Sequence, residues 1–312
     1  MIHSIDQSKV YHINMTQMSL PLHDLQHSPQ SPRYSFSDIS SFQQDIKNFY
    51  KKYGRMQPWR YSKNTYHVFV SEIMLQQTQI PRVLVKFPQF IDRFPTFQTL
   101  AAATLEEVLA AWQGLGYNRR ARFAREIAIK ICDEHDGVLP DDPDILITFP
   151  GIGPSTAGSL CAFAYNKPVV FIETNIRRVF IHAFFAPKEE KVHDNELYSL
   201  VKETLDYDNP REWYYALMDY GTMLAKQGHN ANRNSVHYTR QSAFEGSDRQ
   251  IRGAILRALV QEGKLREGEI QKYIAASHQD ICAYDRLQKI LHTLVRDHMI
   301  VAEDGGVYMI AS

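Results

Sequence analysis

A glycine-containing turn between two helical stretches has the composition of a phosphate-binding site. Residues 149–157 read Phe-Pro-Gly-Ile-Gly-Pro-Ser-Thr-Ala. Two glycines separated by one apolar residue permit a tight turn whose backbone N–H groups point outward at the start of the next helix, an arrangement that suits an anion. Ile152 would then fill the core beneath the turn. The same residues also fit a helix–helix hairpin that binds no ligand, and this stretch alone does not decide between the two.

Two glutamates stand where a carboxylate could do acid–base or electrostatic chemistry. Glu72 directly precedes an apolar helical stretch, which two glutamines, Gln76 and Gln77, follow. Glu173 directly follows an apolar run and precedes two arginines. Each also has an ordinary explanation. Glu72 fits an exposed charge on a helix, and Glu173 fits a helix N-cap region, where the helix dipole favours negative charge.

A third stretch combines an aromatic residue with positive charge. Residues 114–122 read Gly-Leu-Gly-Tyr-Asn-Arg-Arg-Ala-Arg, which places Tyr117 on a glycine turn beside three arginines. Taken alone, these arginines have an ordinary explanation, which is a solvated helix face.

Composition narrows the class of protein. The 312 residues include 35 Lys and Arg against 35 Asp and Glu, so bulk charge alone does not attract the chain to nucleic acid or an anionic membrane, although a local basic face still could. Three isolated cysteines, without a CxxC pair, exclude a disulfide framework and argue against a cysteine-ligated cluster or zinc site. Without an apolar run of about 18 residues or a signal-like N-terminus, we expect a soluble protein of the cytoplasm or nucleoid.

Hydrophobic periodicity predicts the elements that position these residues. Residues 1–37, rich in Ser, Gln, His and Pro, predict a mostly disordered tail. Helical spacing from 38 to 226 predicts an all-α domain whose one β-like run, 168–172, is short. Residues 227–246 lose this spacing and predict a loop or linker. Three helices and a terminal hairpin around Asp304-Gly305-Gly306 over 247–312 predict a winged helix.

The four motifs resemble, in order and spacing, those of helix-hairpin-helix DNA glycosylases, most closely the MutY-like adenine glycosylase branch. The resemblance runs without gaps from Tyr66 to about Leu224, and 53–55 and 58–60 also fit. It implies a fold of two helical subdomains with the active site between them. It also implies a hairpin whose amides hold a DNA phosphate, with a monovalent cation at carbonyls near Phe149 and Ile152.

The same resemblance implies roles for individual residues. Glu72 falls where the branch keeps the acid that protonates the purine, and Glu173, with Asn175 beside it, falls where the superfamily keeps an aspartate that stabilises the sugar cation. Gln77 and Tyr117 match residues that wedge into the base stack. The implied DNA contacts are Gln76, Gln77, Tyr117, Arg119, Arg122, Gly151, Gly153, Ser155, Thr156 and Arg177, and the implied base-pocket residues are Arg60 and Ser155. Ser155 also stands where bifunctional relatives carry a Schiff-base lysine, which predicts a monofunctional enzyme.

Such chemistry has a physical basis. Cleaving an N-glycosidic bond needs a protonated leaving group and a stabilised positive charge on the sugar, which two carboxylates in opposite protonation states supply. Flipping the base from the duplex costs a few kcal/mol, which phosphate contacts and a wedge residue offset.

The sequence departs from the family pattern at three places. Glu173 replaces the expected aspartate, and a carboxylate displaced by about 1 Å can cost about 10²-fold in rate. The iron–sulfur ligand positions are Ala225, Asn232, Ser235 and Gln241, none of which supplies a thiolate, so we predict no cluster and no other cofactor. In their place, packing or bonding by Asn232, Arg233, His237, Tyr238 and Arg240 would hold the loop. The Nudix-like C-terminal domain is replaced by the predicted winged helix.

These observations lead to one main hypothesis and two alternatives. The main hypothesis is a monomeric, monofunctional and clusterless glycosylase that removes a purine, most simply adenine in a mispair, from double-stranded DNA, with no membrane partner. A mismatch thymine, uracil or other damaged-base glycosylase is one alternative, although Glu72 favours a purine. A catalytically weak lesion-binding or winged-helix DNA-binding protein is the other. The predicted third helix of the winged helix, about 284–298, carries Arg286, Lys289, His292 and Arg296 and could contact DNA or a protein.

Overall fold

The computed structural model describes residues 34–35, 38–185, 191–239, 243–277 and 284–312. The prediction of a disordered tail therefore falls largely outside the described residues, as do Arg240 and Gln241. The described chain divides into two compact units. The first unit contains the described residues of 34–62 and 158–239, and the second those of 63–157 and 243–312. The C-terminal segment thus shares a unit with residues 63–157.

The chain is mostly helical, as the sequence predicts. In chain order the helices are α1 (Ile39–Tyr53), α2 (Thr65–Leu75), α3 (Ile80–Arg93), α4 (Phe97–Ala102), α5 (Leu105–Trp112), α6 (Arg119–Glu134), α7 (Pro143–Leu146), α8 (Pro154–Tyr165), α9 (Thr174–Phe184), α10 (Asp194–Glu203), α11 (Pro210–Lys226), α12 (Asp248–Glu262), α13 (Glu267–Ser277) and α14 (Tyr284–Arg296). Short 3₁₀ turns cover Pro58–Arg60 and Ala231–Asn234. Across the described ranges, no helix is long and apolar enough to cross a bilayer.

Helices α1, α9 and α11 build the core of the first unit. Phe42 of α1 meets Trp213 of α11 edge to face, with ring centroids 6.0 Å apart, and it also contacts Phe184 of α9 at 5.0 Å. Tyr34 extends this core toward the N-terminus, because its N–H donates to the Ala183 carbonyl (2.9 Å) and its ring lies 5.5 Å from that of Phe42. The β-like run 168–172 is not a strand: it is irregular chain that leads into α9.

Helix α6 lies at the centre of the second unit, against α4 and α5. Thr104 begins α5 with a capping box, in which its hydroxyl accepts from the Glu107 N–H (3.2 Å) and the Glu107 carboxylate accepts from the Thr104 N–H (2.9 Å). These reciprocal bonds satisfy two N–H groups that have no partner within the helix. Trp112 ends α5 and packs edge to face on Phe90 of α3, at 5.7 Å.

The C-terminal segment contains the three predicted helices, the predicted hairpin and one additional short strand. Strands β1 (Lys264–Arg266), β2 (Ile300–Glu303) and β3 (Val307–Ile310) form an antiparallel sheet in the order β1-β3-β2. Gly305 and Gly306 both have positive φ, +79° and +71°, which the turn between β2 and β3 requires. Helix α12 packs on β3 and on α5, so this segment rests on the rest of the second unit.

Candidate active site and nucleic-acid interface

The glycine turn joins α7 to α8, as its sequence predicts. Ile152 is buried beneath it, whereas Gly151 and Gly153 are exposed. Gly151 has a φ of +75°, and a Cβ added there would lie 2.5 Å from a ring carbon of Phe123. Both the backbone conformation and the close approach therefore require glycine. Ser155 and Thr156 follow in the first turn of α8, half-buried. The geometry suits an anion, and phosphate binding remains a prediction.

The Gln76 side chain connects the end of α2 to this hairpin through hydrogen bonds. Its side-chain amide donates to the Thr156 hydroxyl (3.2 Å) and, at 3.4 Å, to the Gly151 carbonyl. The next residue, Gln77, is exposed. The structure thus gives Gln76 a role within the protein and leaves Gln77 at the surface, where contact with DNA remains a prediction.

The two predicted wedge residues share an uncommon backbone conformation. Gln77 has a φ of +55° and Tyr117 a φ of +48°. Left-handed conformations are rare for residues other than glycine, and they persist only where the surrounding structure determines them. Each residue lies in a tight turn, Gln77 after α2 and Tyr117 before α6.

Arg120 connects the two turns. It is buried, and its Nη1 donates to the carbonyls of Ile73 and Met74 in α2, both at 2.8 Å. Its Nη2 donates to the Thr78 hydroxyl (2.8 Å) and to the Gly116 carbonyl (3.0 Å). Burial lowers the pKa of Arg120 to about 10, so the group stays charged at neutral pH. A single guanidinium thereby holds the segments that carry Gln77 and Tyr117.

Sequence analysis singled out the neighbours of Arg120 instead. Arg119 is the more exposed of the two, with 56% of its side-chain surface accessible, and it lies 5.4 Å from the Phe123 ring centre. Arg122 pairs with Glu126 at 2.6 Å. The helical period carried a signal for Arg120, because it lies on the same face as Ala124, Ile127 and Ile131, which are buried.

Glu72 lies in α2, on the second unit. It is half-buried, between two fully buried neighbours, Ser71 and Ile73. The helix places it one turn before Gln76, which holds the hairpin. The predicted general acid thus stands on the helix whose C-terminal carbonyls Arg120 binds.

Glu173 lies in the first unit as the N-cap of α9. Its Oε1 accepts hydrogen bonds from the backbone N–H of Asn175 (2.7 Å) and Ile176 (2.9 Å), and the Asn175 side-chain amide donates to Oε2 at 3.3 Å. Burial raises the pKa of Glu173, whereas the two backbone N–H groups and the nearby arginines lower it by less. The result is an oriented carboxylate whose anion is partly desolvated.

Arg178 supports Asn175 from behind. It donates to the Asn175 side-chain oxygen (2.7 Å) and to the Gly221 carbonyl of α11 (2.8 Å). A Cβ at Gly221 would lie 2.6 Å from the Asn175 carbonyl oxygen, so glycine is needed where α11 passes α9. Arg178 was not predicted from the sequence, because a partner 43 positions away leaves no local signal.

Two other predicted site residues, Arg177 and Arg60, are engaged in ion pairs within the first unit. Arg177 binds both carboxylate oxygens of Asp194, at 2.7 and 2.6 Å. Arg60 likewise binds Asp219 with two hydrogen bonds, at 2.9 and 2.7 Å, and lies 4.4 Å from the Tyr215 ring centre. Burial alone would raise the pKa of Asp219, but hydrogen bonds and charge from Arg60 and Arg55 lower it. Contact of either arginine with DNA or base remains a prediction.

The positions at which the family holds its iron–sulfur cluster carry a donor set that does not fit one. Ala225 is exposed, whereas Asn232 and Ser235 are buried. The Asn232 side chain donates to the Thr174 carbonyl (2.9 Å), and the Ser235 hydroxyl accepts from the His237 N–H (3.0 Å). Thiolates, which such clusters need, are missing at these three positions. Among the residues that the structure describes, no group of three or more His, Cys, Asp or Glu side chains could hold a metal ion.

Comparison with known proteins identifies relatives of this chain. Residues 70–203 match the HhH-GPD superfamily of base excision DNA repair proteins. An adenine DNA glycosylase of Mycobacterium tuberculosis is 35% identical over 234 residues, covering 68% of this chain and 76% of that protein. One from Buchnera aphidicola is 35% identical over 184 residues, covering 59% of this chain, which spans about half (52%) of that relative's length.

A solved structure supports the fold. That of a thermostable thymine-DNA glycosylase superposes with a TM-score of 0.57 at 21% identity, covering 65% of this chain and 97% of that one. At this identity the likeness concerns the fold alone. The family match and the sequence relatives show that the chain belongs to the HhH-GPD superfamily of base excision DNA repair proteins, in its MutY-like adenine glycosylase branch.

Proposed function

We propose that this protein is a monofunctional DNA glycosylase that removes adenine from a mispair in double-stranded DNA. The observation that supports this most is the setting of Glu173. Its carboxylate is held by two backbone N–H groups and the Asn175 amide in a partly desolvated position, which is what stabilising a cationic sugar requires. The choice of adenine as the base that is removed follows from the relatives, which are named adenine DNA glycosylases.

Two carboxylates share the chemistry in this proposal. Glu72, protonated, gives its proton to the purine ring, so the C1′–N9 bond breaks with its electron pair moving onto the base. Glu173, ionised, stabilises the positive charge that develops on the sugar. A water oxygen then bonds to C1′ and releases a proton to solvent, from which Glu72 regains the proton that it gave to the base. The products are free adenine and an abasic site. Because Ser155 carries no amine, no Schiff base forms there.

The second unit supplies the contacts proposed to open the duplex. Amides of the turn at Gly151 and Gly153 receive a phosphate, while Gln77 and Tyr117 enter the space that the flipped base leaves. A monovalent cation at the carbonyls near Phe149 and Ile152 would strengthen the phosphate contact. Arg120 binds Thr78, which follows Gln77, and Gly116, which precedes Tyr117, so the backbone spacing of the two wedge residues is set before DNA binds. Such preorganisation lowers the entropy lost on binding.

We also propose that the enzyme works as a monomer without an iron–sulfur cluster. Hydrogen bonds of Asn232 and Ser235 hold the loop that the cluster would hold. The Asn232 bond ends on the Thr174 carbonyl, next to Glu173. The loop therefore supports the start of α9 without a metal.

A second candidate is a mismatch thymine or uracil glycosylase, on the same fold. Glu72 argues against it, since removal of a pyrimidine does not need protonation of a purine ring. A lesion-binding protein without catalysis is the candidate from another class, and the replacement of aspartate by Glu173 is the feature that would favour it.

A panel of duplexes separates these candidates. Enzyme in excess is incubated with labelled duplexes carrying adenine opposite 8-oxoguanine or guanine, thymine or uracil opposite guanine, and alkylated or deaminated purines, and alkali then cleaves at abasic sites. Adenine loss supports the proposal, and loss of thymine or uracil alone supports the second candidate. Binding without loss of any base supports the third.

A further inference from the structure

The C-terminal segment reaches the turn that carries Tyr117. Arg249, in the first turn of α12, donates from Nη1 to the Tyr117 hydroxyl, and its guanidinium lies 5.3 Å from the Tyr117 ring centre. Arg120 lies 5.6 Å from the same ring centre. Two guanidinium groups, one from each of the two segments that make up the second unit, therefore contact a single aromatic ring.

A second contact fastens the segment to the same place. Asp297, directly after α14, accepts from Arg252 of α12 at 2.6 Å and lies 4.0 Å from Nε of Arg119. Only 12% of the Asp297 side chain is exposed, so water screens this charge less than it screens a surface pair. The N-terminus of α6 thus also lies beside the C-terminal segment, although the pair with the mostly exposed Arg119 is weak.

From this arrangement we propose that Arg249 is a positioning residue, which holds the Tyr117 ring in the orientation that enters the DNA stack. The C-terminal segment then takes part in recognition of the target base pair. This inference rests on the proposed function, in which Tyr117 is a wedge.

The conformation of Tyr117 explains why such a residue is needed. A left-handed φ of +48° is unfavourable for an aromatic residue, and Gly114 and Gly116, with φ of +92° and +73°, make the neighbouring backbone permissive. The Arg120 side chain fixes the turn through its hydrogen bond to the Gly116 carbonyl, and its guanidinium lies beside the Tyr117 ring. The Arg249 hydrogen bond adds a restraint at the far end of the ring, at the hydroxyl.

A double-mutant cycle tests the proposal. Arg249→Gln is made alone and with Tyr117→Ala, and single-turnover adenine excision is measured at saturating enzyme. We expect Arg249→Gln to slow excision about 10-fold or more when Tyr117 is present, because a small displacement of a positioned group has effects of that size, and to have no further effect in Tyr117→Ala. Arg249→Lys, which keeps the charge and a donor, should recover part of the rate.

Arg257→Gln is the matched control, because Arg257 lies on the same helix and is exposed. It should leave the rate unchanged, and the thermal unfolding midpoints of both variants should agree. A purely structural role for Arg249 would instead lower the unfolding midpoint and slow excision equally in both Tyr117 backgrounds. That result overturns the proposal, as does an unchanged or faster rate in Arg249→Gln.

A second measurement does not depend on catalysis. Unstacking of 2-aminopurine placed beside the target adenine raises its fluorescence when a wedge enters the duplex. We expect wild-type protein to raise the signal and Arg249→Gln to raise it less at saturation. An equal rise in both overturns the proposal. If wild-type protein opens the stack but releases no base, the proposed function fails while the positioning role of Arg249 is still tested.

Discussion

At the scale of single residues, the chemistry depends on how Glu173 is held. The side chain is one methylene longer than the aspartate of the family pattern, and its carboxylate accepts hydrogen bonds from the N–H groups of Asn175 and Ile176. The same contacts cap α9 and orient the carboxylate. One group thus serves the helix and, in the proposed mechanism, the sugar.

Substitution of Glu173 separates charge from position. We expect Glu173→Gln to reduce single-turnover adenine excision by at least about 100-fold, because the neutral amide no longer stabilises the sugar cation. Glu173→Asp restores the family residue and should excise at least as fast as wild type. Excision by Glu173→Gln at the wild-type rate would remove Glu173 from the mechanism.

The raised pKa of Glu173 predicts a pH dependence. The proposed role requires the ionised form, and burial raises the pKa of this carboxyl above its usual value. As the pH falls, the ionised fraction therefore declines earlier than for an ordinary glutamate, whose pKa is about 4.3. A single-turnover pH profile of wild type should show its acid limb above that value. A rate that stays level down to about pH 4.3 would contradict the prediction.

Only part of the site is predictable from the sequence at the residue scale. Sequence motifs point to Glu72 and Glu173, and the N-cap position of Glu173 is predictable because capping is a local property. Arg178 is not predictable, because its partner Gly221 is distant in sequence. Arg119 and Arg122 were predicted as DNA contacts and Arg120 was not, although helical periodicity turns only Arg120 inward.

At the scale of elements, two buried arginine clusters hold the helices that carry the site. In the second unit Arg120 joins the end of α2 to the turn before α6. In the first unit Arg55 and Arg60 form ion pairs with Asp219 of α11. Only 2% of the Asp219 side chain is exposed. Periodicity turns Arg120 inward, but it does not reveal the partners in either cluster, because each cluster links segments that the sequence places far apart.

Removal of the Arg120 side chain should loosen α2 and the Tyr117 turn together. We expect Arg120→Gln to lower the free energy of unfolding by about 3 kcal/mol, since several buried carbonyls lose a charged donor. Chemical denaturation of the variant would measure this loss. Arg119→Gln, at the exposed neighbouring position, is the control and should change stability little. Equal midpoints for the two variants would contradict the role of Arg120.

Asp219 should stabilise the first unit in a pH-dependent way. Asp219→Asn leaves two arginines without their anion, and breaking a buried pair in this way costs about 3–5 kcal/mol. Because the pKa of Asp219 is lowered in the folded state, its contribution is complete above the unfolded pKa of about 3.9 and disappears as the pH falls through the folded value. Denaturation at several pH values should show the difference from wild type shrinking in acid. A difference that is constant with pH, or one matched by the exposed control Asp133→Asn, would contradict this account.

At the scale of the whole molecule, zero net charge means that the DNA binding we propose requires a local basic surface. The exposed face of α14 offers Lys289, His292 and Arg296. Arg286 is engaged with Asp248 at 2.6 Å and so differs from the other three. We interpret the C-terminal segment as a winged helix whose α14 adds phosphate contacts.

This interpretation predicts the salt dependence of DNA binding. Replacement of Lys289 and Arg296 by Gln should weaken binding to all duplexes alike and reduce the slope of log K against log salt by about 2, one for each lost phosphate contact. Arg286→Gln should change the slope less, because its charge is already paired. A slope unchanged in the double variant would exclude α14 from the DNA contacts.

The fold class was more predictable from the sequence than the division of the chain into two compact units. The all-α class, the hairpin at Gly151 and the terminal strands follow from periodicity and turn chemistry, which are local. That residues 247–312 share a unit with 63–157 depends on packing of α12 on α5 and on the Arg249 contact, and no local pattern encodes either.

The most direct test of the central claim is the release of adenine by a Glu72-dependent reaction. Wild type, Glu72→Gln and the control Glu106→Gln, an exposed carboxylate in α5, are each incubated in excess with a labelled duplex carrying adenine opposite 8-oxoguanine. Alkali then reveals abasic sites. We predict rapid single-turnover loss of adenine with wild type and Glu106→Gln, and none with Glu72→Gln. Equal adenine loss in Glu72→Gln, or none with wild type despite tight binding, would contradict the proposed mechanism.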